Sequence, residues 1–173
     1  MLVNNAGTGV LEGFLELTES SYDRIMQVNL KSATFISQAF CKAFIKRHAA
    51  GNIEKGAIVN ISSQASSVPL WNHTAYCISK AGMDHLTKMV ALEMGSKCKM
   101  RVNSVNPTVV MTALGRSAWS DPKKAATVLD KIPLNRFAEV NEVVEPVLFL
   151  LSDAAAMIHG VSIPIDGGFC NCN

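Results

Sequence analysis

Ser62-Ser-Gln-Ala-Ser-Ser-Val-Pro-Leu-Trp-Asn-His-Thr-Ala-Tyr-Cys-Ile-Ser-Lys80 is the stretch whose reading decides the fold. It follows an apolar run, Ala57 to Ser62, that reads as a buried strand. It leads into a segment, Thr74 to Gly95, that reads as a helix. Positions i and i+4 share a helix face, so Tyr76 and Lys80 stand side by side. A tyrosine has a reference pKa of about 10, and a lysine cation close by favours the phenolate. The pair is expected to act as a proton donor in which the lysine tunes the tyrosine. Ser63 falls at the carboxyl end of the strand, the edge where an open α/β sheet binds ligands. A bare Tyr-x-x-x-Lys is ordinary on a solvated helix face. What gives this one weight is its place between the first strand and a second one, Arg101 to Pro107.

Working outward, two more apolar runs read as strands: the start of the chain, Met1 to Gly7 with its closing turn, and Val161 to Ile165. Four strands separated by helical segments predict an α/β fold with a parallel sheet and right-handed crossovers. Pro164 places the last strand at an edge, where subunits can meet, and Pro107 stops the strand it ends. Thr18 is a good N-cap for helix running to about His48, as one long or two consecutive helices, with Tyr22, Ile25, Met26, Val28, Phe35, Ile36, Ala39, Phe40 and Phe44 at helical spacing. Gly51-Asn52 ends it, and an exposed loop is expected up to Gly56. The helix after Thr74 is expected to bury Ala81, Leu86, Met89, Val90 and Leu92, as core or against a partner helix. Leu70 and Trp71 are expected to wall a pocket beside His73. Ala113 to Asp121 reads equally as a lid holding Trp119 or as a surface loop with a packed Trp, with Asp121-Pro122 capping and opening the next helix. Asn141 is a candidate cap for an apolar helix from Glu142 to Leu151, interrupted by Pro146 at a cost of about 3 kcal/mol.

Gly7-Thr-Gly9-Val-Leu-Glu-Gly13 falls short of a Gly-x-Gly-x-x-Gly dinucleotide fingerprint, since Glu12 stands where glycine is needed. A carboxylate there would also repel a pyrophosphate, so the glycines read as loop residues.

The motifs in chain order, Asn4-Asn-Ala-Gly7, Val28-Asn29, Ser63, Tyr76/Lys80, Asn106-Pro107 and Asp166-Gly-Gly168, resemble the short-chain dehydrogenase/reductase family over nearly the whole chain. Pro107-Thr-Val-Val-Met-Thr112, where many relatives have Pro-Gly, is similar to the L-xylulose (dicarbonyl) reductase branch of that family. The resemblance implies a Rossmann-like doubly wound sheet, of which this chain carries the C-terminal part. It implies an NADP(H)-dependent carbonyl reductase taking L-xylulose to xylitol and small α-dicarbonyls to hydroxyketones. Asn29, Ser63, Tyr76 and Lys80 would be catalytic, with Asn29 at a helix irregularity that relays protons through water to Lys80. Asn4, Ala6, Gly7, Tyr76, Lys80, the Val109 main chain and Thr112 would hold the cofactor. Ser63, Gln64, His73 and Trp119 would meet the substrate. A homotetramer is implied, and no metal.

Composition narrows the alternatives. The 173 residues are 49% hydrophobic and 17% charged with a formal charge of +2 and no dense basic block, which fits a globular domain and gives nucleic acid no footprint. Five scattered cysteines, Cys41, Cys77, Cys98, Cys170 and Cys172, suit free thiols in a reducing compartment rather than a zinc site. No signal core or long apolar span is present, so a cytoplasmic protein is expected. The family's Thr-Gly-x-x-x-Gly-x-Gly turn and the Arg that would select NADP would both lie ahead of Met1. Residues 1–173 are therefore expected to form a single partial domain, a fragment or shortened product of a complete reductase. Two other readings stay open: a catalytically silent interaction protein lacking the cofactor-binding half, and a 3-oxoacyl or steroid ketone reductase.

Overall fold

The structure, a computed structural model, describes residues 1–52 and 55–172. Strand β1 (Leu2–Asn4) leads through a loop to α1 (Glu19–Met26), which continues through a π-helical turn (Gln27–Lys31) into α2 (Ser32–Ala49). Then follow β2 (Gly56–Ile61), α3 (Thr74–Cys98), β3 (Met100–Pro107), α4 (Ala113–Ala118), α5 (Pro122–Leu129), α6 (Val140–Leu151) and β4 (Ser162–Ile165). The four strands form one parallel sheet in the order β1-β2-β3-β4. Pro164 lies in the edge strand β4, opposite Asn106.

Strand alternation sorts the core onto the two sheet faces. Ile58, Met100 and Val102 pack with Cys41 and Phe44 of α2 and Ala91 and Cys98 of α3 on one face. Val59 and Val105 pack with Leu150 of α6 and Ala155 on the other. Fully burying side chains such as Ile58, Met100 and Val102 contributes about 1.5–3 kcal/mol each. A buried polar chain crosses the first face: the Asn4 amide donates to Ser37 Oγ at 2.9 Å and Asn60 Oδ1 at 2.7 Å, and Asn60 Nδ2 donates to Thr87 Oγ1 at 2.8 Å. It ties β1 and β2 to α2 and α3 and leaves no amide of this set unpaired, which is what makes its burial tolerable.

Within the chain, helix α3 packs a stripe other than the expected one, which leaves the exposed members of that stripe to the partner-helix alternative. Ala75, Ser79, Met83, Thr87 and Ala91, four residues apart, face inward, whereas Ala81, Met89 and Leu92 are exposed and Leu86 and Val90 are half-buried. Small and hydroxyl-bearing residues let the helix approach closely. At Gly82 a Cβ would stand 2.7 Å from Leu30 Cδ2 of the π-helical turn, so any side chain there would require Leu30 to shift. Phe35, Ile36 and Ala39 of α2 are likewise exposed.

Thr18 caps α1, accepting from Ser21 N, and Asp121 caps α5, accepting from Lys123 N. The cap of α6 is Glu139 rather than Asn141: Glu139 and Glu142 form a capping box, and Arg136 holds Glu142 from outside. At the other end of α6, Arg101 donates to the Leu150 and Ser152 carbonyls at 2.6 and 2.9 Å, satisfying acceptors a helix C-terminus leaves open. Asn52 and Lys55 are exposed; Ile53 and Glu54, over which the expected surface loop continues, lie outside the described residues. Among the described residues no helix is long and apolar enough to cross a membrane.

Candidate active site

The site is built where β2 and β3 end. Ser62 N donates to Val105 O at 2.9 Å, which keeps the chain in register with β3 one residue past β2. Ser63 is extended, and its hydroxyl caps a single 3-10 turn over Gln64–Ser66 by accepting from Ala65 N. That turn swings the chain to the start of α3, whose first turns carry Tyr76 and Lys80. Lys80 is 4% exposed, donates to the Ile61 carbonyl at 2.8 Å, and has its Nζ 5.6 Å from the centroid of the Tyr76 ring.

The loop after β1 closes over this pair. A Cβ at Gly7 would lie 3.6 Å from Lys80 Nζ and 3.7 Å from Asn29 Oδ1, and one at Gly9 would touch the Tyr76 ring at 3.4 Å. Both glycines lie in an irregular loop, as expected, and that loop runs in van der Waals contact with the site. Asn29, fully buried in the π-helical turn, fastens the loop: its Oδ1 accepts from Thr8 N at 2.8 Å, and its Nδ2 donates to Thr8 O at 2.9 Å and to Ser79 Oγ at 3.0 Å. Ser79 in turn donates to the Tyr76 carbonyl at 2.7 Å. Asn29 thus sits at a helix irregularity, as the resemblance implies, with its side chain joining loop to helix.

The electrostatics differ from the simple expectation. Burial pushes the Tyr76 phenol above its ordinary range, and a hydrogen bond from the Ser63 side chain only partly offsets this. Lys80 is brought down to about 8, burial being the main cause and Asp84 opposing it. Lys80 gives its hydrogen bond to Ile61 O rather than to the phenol, and burial governs Tyr76. The consequence is favourable to acid chemistry, since at neutral pH Tyr76 keeps its proton and Lys80 remains mostly an ammonium.

A cavity of about 450 Å³ lies here, lined among others by Gly7, Gly9, Ser63, Tyr76, Lys80 and Thr108. That is the size of a small-ligand site. Thr108, 9% exposed, has its hydroxyl buried without a hydrogen-bond partner among the described residues. An orphaned hydroxyl, two glycines that keep side-chain atoms away, and an ammonium beside a phenol suit the ribose and nicotinamide end of a dinucleotide. Asn4 lies behind this wall as a strand brace, and Ala6 is exposed in the loop. The Val109 carbonyl accepts from Ala138 N at 3.0 Å, pinning the turn after β3, and Thr112 is the N-cap of α4, accepting from Gly115 N at 3.0 Å.

The substrate candidates divide. Gln64 is 5% exposed, with Oε1 buried and without a hydrogen-bond partner among the described residues. His73 stands edge-on to Tyr76 with ring centroids 6.1 Å apart, and its Nδ1 lies 2.6 Å from the Trp71 carbonyl. Trp71 walls nothing, being 92% exposed. Trp119 packs against Phe137 at 5.5 Å under Lys124, in a satellite cluster away from the cavity wall, and the expected lid contains the short helix α4. Sequence reasoning passed over Thr8, Ser79, Asp84 and Thr108. Two of them left a signal: Asp84 in its i+4 spacing from Lys80, and Thr108 in the Pro107-to-Thr112 stretch.

Residues 1–170 match the family profile described as enoyl-(acyl carrier protein) reductase. The chain is 52% identical to L-xylulose reductase of Bos taurus over 98% of its own length and 67% of that protein's. It is 44% identical to carbonyl reductase [NADPH] 2 of Sus scrofa, covering 98% and 67%. Among solved structures, 4-hydroxyisoleucine dehydrogenase complexed with NADH superimposes with a TM-score of 0.92 at 28% identity, covering 99% of this chain and 69% of that one. The chain thus spans about two thirds of the length of the proteins it matches.

Proposed function

This chain belongs to the short-chain dehydrogenase/reductase family of oxidoreductases, and on that premise we propose that it is an NADP(H)-dependent carbonyl reductase whose substrates are L-xylulose and small α-dicarbonyls. The observation that carries the reading is the convergence of Ser63, Tyr76 and Lys80 on one cavity at the carboxyl ends of parallel strands. Lys80, Thr108 and the loop at Gly7 would hold a reduced nicotinamide, which would supply the hydride. The chain's own groups manage the oxygen. Ser63 Oγ and Tyr76 Oη hold the substrate carbonyl oxygen, and Tyr76 gives up its proton as charge develops there. The Lys80 ammonium steadies the phenolate left behind, and Asn29 keeps the loop and the helix in fixed relation.

NADP(H) is favoured by the likeness to a reductase named for NADPH. The sugar and small dicarbonyl class is favoured by the likeness to L-xylulose reductase. We take the assembly to be a homotetramer, which the family resemblance and the exposed apolar residues of α2 and α3 support.

The test is NADPH binding to the folded 173-residue chain by nicotinamide fluorescence, with NADH alongside, followed by diacetyl and L-xylulose turnover. Saturable binding with NADPH preferred, and turnover of either carbonyl, is the expected result. A folded chain that binds neither nucleotide would favour the catalytically silent reading; turnover confined to 3-oxoacyl or steroid ketones would replace the substrate class.

A further inference from the structure

One turn beyond Lys80 on α3 stands Asp84, half-buried, with both carboxylate oxygens engaged by β3. Ser104 Oγ donates to Oδ1 at 3.1 Å, and Asn106 Nδ2 donates to Oδ2 at 2.7 Å. The same Asn106 amide reaches the main-chain carbonyl of Ser63 at 3.3 Å and Ser66 Oγ at 2.8 Å. Ser104 Oγ is also 2.8 Å from Ser162 Oγ of β4. The carboxylate is therefore the meeting point of α3, β3 and the turn after β2.

We propose that Asp84 is a positioning residue of the site: its carboxylate holds the Lys80 ammonium electrostatically and, through Asn106, fixes the main chain from which Ser63 presents its hydroxyl. The catalytic meaning rests on the reductase reading above, whereas the contacts belong to this chain whatever it reduces. Facing Lys80 are Tyr76 and Asp84 from its own helix, the Ile61 carbonyl from β2 and, across Gly7, the Asn29 amide of the π-helical turn. Asp84 is the anion among them, and it opposes the desolvation that would otherwise strip Lys80 of its proton. A phenol whose proton is to leave needs a cation beside it, so a carboxylate that keeps the lysine charged acts on the tyrosine at second hand.

The experiment is an NMR titration of the lysine Cε signals in the full 173-residue chain, with Lys80 identified by the signal lost in Lys80→Arg. In the parent, Lys80 is expected to titrate near pH 8. In Asp84→Asn its midpoint should fall by about one unit, the scale on which a neighbouring opposite charge acts, while the other lysines stay in place. Asp84→Glu should restore most of the shift. Should the amide variant not fold by circular dichroism, Asp84→Ser replaces it with the same expected fall. An unmoved Lys80 midpoint in a folded variant lacking the carboxylate overturns the proposal. Turnover measured in parallel separates the two readings. In an active parent, the alkaline limb of kcat should move down with the Lys80 midpoint while the cofactor KM changes little. A parent without turnover or nucleotide binding removes the reductase reading, and the titration still decides Asp84.

Discussion

Lys80 meets two opposed demands: the proposed mechanism needs its charge, and the interior penalises it. Its pKa of about 8 against an ordinary 10.5 corresponds to roughly 3 kcal/mol of destabilisation while the lysine is charged. The sign follows from proton binding. Between pH 8 and 10.5 the unfolded chain binds the proton that the folded chain has lost, so the penalty is fully present below pH 8 and disappears as the pH rises to 10.5. Lys80→Met is therefore expected to unfold at higher urea than the parent at pH 7, by about 1–3 kcal/mol after the lost bond to Ile61 O is counted. The advantage should shrink toward pH 10, and carbonyl reduction should be lost. Equal stability of parent and variant at pH 7 would mean that Lys80 is better solvated than its 4% exposure implies. Tyr76 has the complementary character, an acid that burial keeps protonated at neutral pH. Tyr76→Phe is expected to lower reduction by at least about a hundredfold, the usual contribution of a positioned acid, with NADPH affinity nearly unchanged. Stopped-flow turnover beside fluorescence titration checks this, and retained turnover would remove the assigned role.

At the scale of elements, the site depends on how closely α3 approaches its neighbours. Gly82 faces Leu30 so closely that a side chain there would displace it, and Leu30 belongs to the same π-helical turn as Asn29. Gly82→Val should cost about 1–3 kcal/mol by overpacking and should disturb Asn29 and the loop at Thr8 along with it. Leu30→Ala in the same chain should recover part of that loss, because it removes the obstructing methyl groups. Thermal unfolding of the two single variants and the double reads the coupling directly. Arg101 offers an independent check at the other end of the molecule. Its guanidinium, in β3, caps the last turn of α6, and Arg101→Met should cost about 1–3 kcal/mol. Amide exchange should rise in the last turn of α6 and remain unchanged around Tyr76.

The whole molecule is a parallel sheet covered by α2 and α3 on one face and α6 on the other, with its polar groups gathered at the carboxyl ends of β2 and β3. Both α2 and α3 also turn apolar residues outward, Phe35 and Ile36 on one and Met89 and Leu92 on the other. Leu92 is 75% exposed, far more than a core residue of an isolated domain. Light scattering of the parent is expected to give a four-chain mass, and Leu92→Glu a smaller one with the circular dichroism unchanged. A monomeric parent at micromolar concentration would exclude the assembly.

The sequence by itself determined the α/β class, the four strands, the capping residues Thr18 and Asp121, and the adjacency of Tyr76 and Lys80. Each of these follows from short-range periodicity or local hydrogen bonding, which a linear chain displays. It left open whether the apolar stripe of α3 packs as core or against a partner helix; within the chain a small and hydroxyl-bearing stripe packs instead, because it allows a closer fit to the sheet. Glu139 as the cap of α6 escaped it for a related reason, since the reciprocal bond with Glu142 requires a side-chain geometry that composition does not reveal. Tertiary structure alone decided that Asn29 clamps Thr8, that Trp119 packs on Phe137 and not at the cavity wall, and that desolvation governs Tyr76 and Lys80. Those outcomes depend on which distant segments come together and how much water they exclude, and neither quantity is carried by any one stretch of the chain.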